Sequence, residues 1–288
     1  MSKKFKKMLR LTKINLEMSG ILEKIVICLM AFSYVFYKFT RSLKMYKVAS
    51  GYDINFWDGI FRLTTYPSLV VYLYFPIMIV ITSNLYKKGQ YANYIAIRSR
   101  EKGILKGSRL VASIITCILS TAAIFLVIIF ISYAYFGYSS NWSSISQNLQ
   151  ESIKLVGRFY VSNFTLELTP MKALLVSFLE ITTTAVMLVT LRDVLQSLID
   201  KRHLANLIVF VWIVISIITV SFDLKEGFFK LGDYIGVHTC SILFFHRFKH
   251  FSFAKVTIGQ SLIMNFCALA VLILVDLIIW RKLVRDYD

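Results

Sequence analysis

The sequence predicts an all-α polytopic membrane protein with six transmembrane helices, and three observations carry that prediction. Its 288 residues have a mean hydropathy of +0.65, with 57% hydrophobic and 17% charged side chains, against ~45–50% and ~25% in soluble domains. Six stretches, 21–38, 66–84, 110–133, 172–191, 204–221 and 258–280, fall in the range of ~17–25 apolar residues that a helix needs to cross hydrocarbon. The connecting segments hold most of the 33 Lys and Arg. The same composition excludes a disordered chain and a disulfide-stapled secreted module.

Each element has its own reason. In residues 1–20, Phe5, Met8, Leu9, Thr12, Leu16 and Ser19 follow a three-four spacing among lysines and Arg10, which predicts an amphipathic helix lying on the inner membrane face. The first span carries Glu23 and Lys24 at its mouth, where long side chains snorkel. No small-x-small cleavage pattern follows it, because Phe36, Tyr37 and Phe39 stand there, so the span is read as uncleaved. Residues 39–65 are expected to form the first outer loop. The second span opens at Tyr66-Pro67, a good helix start, and Pro76 should kink it. The third has no charged residue from Leu110 to Tyr133, and the fourth follows Pro170, with Lys172 at its mouth. The fifth is dense in Val and Ile, which suggests a strand in water, but lipid does not tolerate an unpaired strand. The sixth ends at Trp280-Arg281-Lys282, an interfacial aromatic followed by basic anchors.

The two longer outer segments are 134–171 and 222–257. Within the latter, 228–246 is apolar yet holds Gly232, Asp233, Gly236 and His238. One or two short re-entrant or interfacial helices, reaching to about residue 250, are expected there rather than a seventh span. The whole chain, 1–288, then forms a single transmembrane domain.

Charge sets the orientation. The N-terminal stretch, the 85–109 loop, the fourth-to-fifth loop and the C-terminal tail share nineteen Lys and Arg, and the opposite segments share twelve. The positive-inside rule puts both termini in the cytoplasm, although the first outer segment is itself basic, with Lys38, Arg41, Lys44, Lys47 and Arg62. The net charge of +17 is read as headgroup-facing rather than as a nucleic-acid footprint. The four cysteines, Cys28, Cys117, Cys240 and Cys267, include no C-x-x-C pair and are read as small buried hydrophobes.

Candidate functional residues are few. In the cytoplasmic loop 85–109, Tyr91, Tyr94 and Ile95 share a helical face that Arg98 extends, with Arg100 nearby and glycines at 103 and 107. A short helix with an aromatic and basic face suits docking into a cleft on a cytoplasmic partner. Glu180 lies near the middle of the fourth span, flanked by Ser177, Thr182, Thr183 and Thr184. An intramembrane carboxyl is either paired in the bundle interior or lines a path. Asp276, about a turn from Trp280, is expected to be a structural charge paired with a basic residue near the inner interface. The segment Gly103 to Arg109 is glycine-rich but lacks the G-x-x-x-x-G-K-[S/T] pattern, and no G-x-S-x-G or H-E-x-x-H occurs. His246 and His250 are four apart but have no nearby carboxylate in sequence, so no metal site is assigned. No catalytic residue is assigned, and no enzyme activity is expected.

These features together resemble the permease subunits of bacterial ABC-2-type exporters, among them those for peptides, bacteriocins and antibiotics. The likeness covers nearly the whole chain and is architectural, with no diagnostic motif. It implies a multi-pass subunit of the bacterial cytoplasmic (plasma) membrane that pairs with a second permease chain, identical or homologous. It implies separate ABC ATPase subunits that bind ATP and Mg, with no cofactor in this chain. The family's coupling helix maps to about Gln90–Lys102, which makes Tyr91, Tyr94, Ile95, Arg98 and Arg100 the ATPase contacts. The N-terminal helix would also help contact the ATPase, and the family's re-entrant outer helices map to 228–250. An ion-coupled secondary transporter and a membrane scaffold or bacteriocin-immunity protein are the alternatives.

Overall fold

The computed structural model describes residues 3–83, 85, 102–148, 162–199, 201–221, 236–243, 246–248 and 256–285. These residues form eleven helices and no strand: α1 (Lys3–Met18), α2 (Ile21–Ser50), α3 (Phe56–Thr64), α4 (Pro67–Ser83), α5 (Lys102–Phe136), α6 (Ser144–Gln147), α7 (Ser162–Thr165), α8 (Pro170–Ile199), α9 (Arg202–Ser221), α10 (Val237–Ser241) and α11 (Ile258–Arg285). Three of them, α5, α8 and α11, are long and apolar enough to cross a bilayer alone; counting the bent pairs α1–α2 and α3–α4 as one span each raises the number to five. Six self-sufficient spans were expected. The two bends account for part of the difference, and α9 adds a further apolar helix, His203–Ser216 among the described residues.

The first outer loop is a correction. The chain does not leave the helix at Lys38. It stays helical to Ser50 and stops at Gly51, whose φ of 71° lies in the left-handed region and whose N–H bonds Lys47 O at 3.0 Å. Thirty residues make α2 about 45 Å long, longer than the ~30 Å hydrocarbon layer. Lys38, Arg41, Lys44 and Lys47 are spaced at three residues and occupy successive helical turns rather than a coil.

Next comes α3, buried except at Arg62. Asn55 caps it: Trp57 N–H donates to Asn55 Oδ1 at 3.0 Å, and Asn55 N–H donates to Asp58 Oδ2 at 2.7 Å. This is a capping box built with Asp at the third position. Gly59 lets α3 lie directly on α5, since a Cβ there would stand 2.7 Å from Ser132 Oγ. A 56° bend then leads into α4, which opens at Pro67 as expected. The kink expected at Pro76 takes the form of a π turn over Val70–Tyr74, closed by Phe75 N–H on Val70 O. Proline cannot bond back to Tyr72, and widening the turn before it relieves the clash.

Around α3 the segments that flank α6 and α7 close into an aromatic cap. Phe61 lies 5.1 Å from Trp142 and 5.3 Å from Phe164, and Phe164 is 6.1 Å from Phe248 (ring centroids). Indole N–H groups tie the cap down: Trp57 donates to Ser139 O and Trp142 to Leu168 O, both at 2.7 Å. The Ser146 hydroxyl donates to the buried Asp58 carboxylate.

At the centre, α8 touches α4, α5, α9, α10 and α11. Its buried positions include Ser177, Glu180, Thr182, Thr184, Thr190, Arg192 and Asp193, while Leu22, Met30, Leu207, Val211, Ile263, Val271 and Leu274 on α2, α9 and α11 are exposed. Apolar outside with polar groups inside is the arrangement a lipid solvent demands. The chain is membrane-embedded.

Candidate functional site

Ser177, Glu180 and Thr184 stand at i, i+3 and i+7 on α8 and so share one face. That face meets α10, the segment just after it, and α11. Glu180 is fully buried, and its Oε1 lies 3.0 Å from His246 Nε2. His246 Nδ1 is 3.1 Å from Ile242 O and 3.3 Å from Leu243 O. A ring nitrogen facing carbonyl oxygens carries the proton, which leaves Nε2 to Glu180. The two side chains meet as a close polar contact rather than an aligned hydrogen bond.

A second network lies one turn deeper. Thr184 Oγ1 donates to Cys240 O at 2.8 Å, and Asn265 Nδ2 donates to Cys240 O at 3.0 Å and to Thr184 Oγ1 at 3.2 Å. Thr184 is fourteen residues past Pro170, about 21 Å along the helix axis, and Asn265 is seven past Ile258, about 10 Å. The carbonyl of α10 therefore reaches well past the first turns of both helices. The short helix expected before the last span is α10; the remainder of 228–250, apart from 236–243 and 246–248, lies outside the described residues. Polar backbone at that depth is tolerated because protein donors satisfy it.

The end of the bundle that holds α1 and the start of α5 forms a third cluster. Lys106 Nζ is 2.7 Å from Asp276 Oδ1 and donates to Asp276 O at 2.9 Å, and Ser197 Oγ is 3.4 Å from the same carboxylate. Thr12 Oγ1 donates to Ser108 O at 3.2 Å and Asn15 Nδ2 to Ser108 Oγ at 3.0 Å. The first turns of α5 are thus fastened to α1 and α11. Arg192, read from sequence as an inner-loop cation, is instead inside α8 and fully buried, paired with Asp193 and donating to Ile79 O at 3.3 Å. The helix continues past the apolar stretch to Ile199.

Glu180 and Asp276 fall in separate clusters. Tyr91, Tyr94, Ile95, Arg98 and Arg100 lie outside the described residues. Sequence reasoning missed His246 as the partner of Glu180, since the two are 66 positions apart and share no motif. Among the described residues, no three His, Cys, Asp or Glu side chains group as a metal site. A cavity of about 30 Å³ between α2, α3, α4, α5 and α8 is lined by Phe32, Phe36, Tyr74, Phe125 and Ile181, and Glu180 itself is not among its lining residues.

Glu180→Gln keeps the side chain's shape and a polar end but removes the ionisable group. Membrane insertion should be retained and thermal stability should hold within about 1 kcal/mol, as read by thermal unfolding in detergent. A larger loss would show that the carboxyl itself holds α8 to the segment after α10.

Comparison with protein-family models, curated proteins and solved structures gives no match to this chain.

Proposed function

We propose that this chain is the transmembrane permease subunit of an ABC-2-type exporter, with six spans and both termini in the cytoplasm. Its cargo would be a peptide, bacteriocin or drug. The observation that carries the reading is the junction at the inner end of α5. Ser108, Lys106 and Asp276 tie the residues immediately after the 85–101 segment to α1 and α11. A push delivered to that segment by a cytoplasmic partner is passed to two other helices rather than absorbed in a loop. A permease needs two states of different access, and the partner's closure would bias that equilibrium. ATP and Mg²⁺ belong to the ABC ATPase partner, and this chain supplies lever and path.

Purification from the native cell in mild detergent, with mass spectrometry of what accompanies the chain, tests the proposal. A stoichiometric ATPase with two permease chains supports it, and a solitary chain overturns it. Within that complex, Tyr94→Ala combined with Arg98→Ala should weaken ATPase capture more than about tenfold, as loss of an aromatic and arginine hot spot does. Unchanged capture together with unchanged transport-coupled hydrolysis would remove the docking role from that segment.

The buried Glu180–His246 contact favours a second reading, an ion-coupled carrier. Such a protein would move cargo in sealed vesicles under a proton gradient with no ATPase present.

A further inference from the structure

The outward face of α2 changes character along its axis in an ordered way. Leu22, Val26, Ile27 and Met30 are exposed and apolar, Tyr34 and Tyr37 follow at 60% and 41% exposure, and Lys38, Arg41 and Lys44 come next, all exposed. Successive steps of three and four keep these residues on one side of the helix. At 1.5 Å per residue, Tyr37, Arg41 and Lys44 lie about 24, 30 and 35 Å from Ile21. Those are the depths at which a bilayer passes from hydrocarbon to interface to headgroup.

Neighbouring groups reinforce the pattern. Lys38 Nζ lies over the Tyr34 ring at 5.0 Å, and Lys44 Nζ over the Tyr135 ring at 5.3 Å. Tyr37 and Tyr135 meet edge to face at 6.0 Å. The rings hold the ammonium groups up along the helix instead of leaving them splayed. No carboxylate occurs from Lys24 to Tyr52 or anywhere in α5. Asp53, just beyond, accepts Ser144 N–H at 3.4 Å. Lys47 is already used, donating to Ile54 O at 2.6 Å. Lys38, Arg41 and Lys44 therefore form a cationic face, and the next acid along the chain, Asp53, is turned to the cap.

We propose that Lys38, Arg41 and Lys44, flanked by Tyr37 and Tyr135, bind the phosphate headgroup of an anionic phospholipid in the outward leaflet. Three positive charges match a phosphodiester, the tyrosines sit where the glycerol region lies, and the apolar turns below take the acyl chains. An acidic peptide would match the charges but not the graded sequence of chain, ring and cation beneath them. The proposal rests on the membrane placement of α2; only the choice of leaflet rests on the topology proposed above.

The test reconstitutes the full chain in phosphatidylcholine bilayers and measures the association of spin-labelled phosphatidylglycerol relative to spin-labelled phosphatidylcholine. The triple variant K38Q/R41Q/K44Q should lose affinity for the anionic lipid by about fivefold per neutralised cation at low salt. The charge-preserving variant K38R/R41K/K44R should retain it. All three side chains are exposed, and circular dichroism checks that the triple variant keeps its helices. Equal lipid selectivity in wild type and triple variant overturns the proposal. Loss of wild-type selectivity on adding inorganic phosphate, but not chloride at the same ionic strength, overturns it in favour of the free anion. Binding of polyglutamate by the wild type but not by the triple variant, with lipid selectivity unchanged, overturns it in favour of an acidic peptide.

Discussion

Arg192→Ala is expected to destabilise the protein by about 3–5 kcal/mol, the cost of removing one partner from a buried ion pair. The guanidinium is fully buried, bound to Asp193 and to the carbonyl of Ile79. Truncation leaves the Asp193 carboxylate 4% exposed and takes away a donor that joins α8 to α4. The double replacement Arg192→Met with Asp193→Leu removes both charges at similar volume and should recover most of the loss. Thermal unfolding of the wild type, Arg192→Met, Asp193→Leu and the double variant in one detergent closes the cycle. A single-variant loss under about 1 kcal/mol would mean that the pair is hydrated rather than dry.

The second large effect belongs to the aromatic cap. Trp142→Ala should cost about 3–5 kcal/mol, since the indole touches Phe61, Phe164 and Trp57 and bonds Leu168 O. Trp142→Phe keeps a ring and loses the N–H, so it should cost about 1–2 kcal/mol, chiefly the unsatisfied carbonyl. A protease added from the outer side reports the same event locally. Cleavage near 139–148 should rise in Trp142→Ala and stay low in Trp142→Phe. Equal resistance of both variants would show that the cap does not depend on this ring.

Much of the fold was legible because lipid leaves little choice. Apolar runs such as Leu110 to Tyr133 must be helical, and the three-four spacing of Phe5 to Ser19 described α1 to within a residue or two. The failures share a cause. Lys38 to Lys47 read as a loop because charge density was taken for exposure to bulk water, yet a helix whose cations face headgroups satisfies the same chemistry. The buried α3 was hidden in the same segment, although Asn55 and Asp58 at the spacing of a capping box were a usable signal. Of the candidate site, Glu180 was visible as a costly charge in an apolar stretch. Its contact with His246, and the fastening of Cys240 O by Thr184 and Asn265, depend on long-range packing and leave no local trace. Asp276 could be placed near an interface from Trp280, but nothing nearby in sequence named Lys106 as its partner. Arg192 was misplaced because the apolar window closed before the helix did.

The contact between α1 and α5 also bears on how the protein is made. Thr12 and Ser108 are separated by 96 positions, so α1 leaves the ribosome on the order of 5–20 s before its partner at about 5–20 residues per second. Through that interval its Met8, Thr12 and Asn15 face has nothing to pack against. The lysines and the exposed Phe5 and Leu9 allow the helix to wait on the membrane surface, apolar side down. Docking then follows insertion of α5, so the inner face is assembled late. A chain halted before Ser108 would carry α1 still parked on lipid, open to the quality-control proteases that a finished molecule excludes.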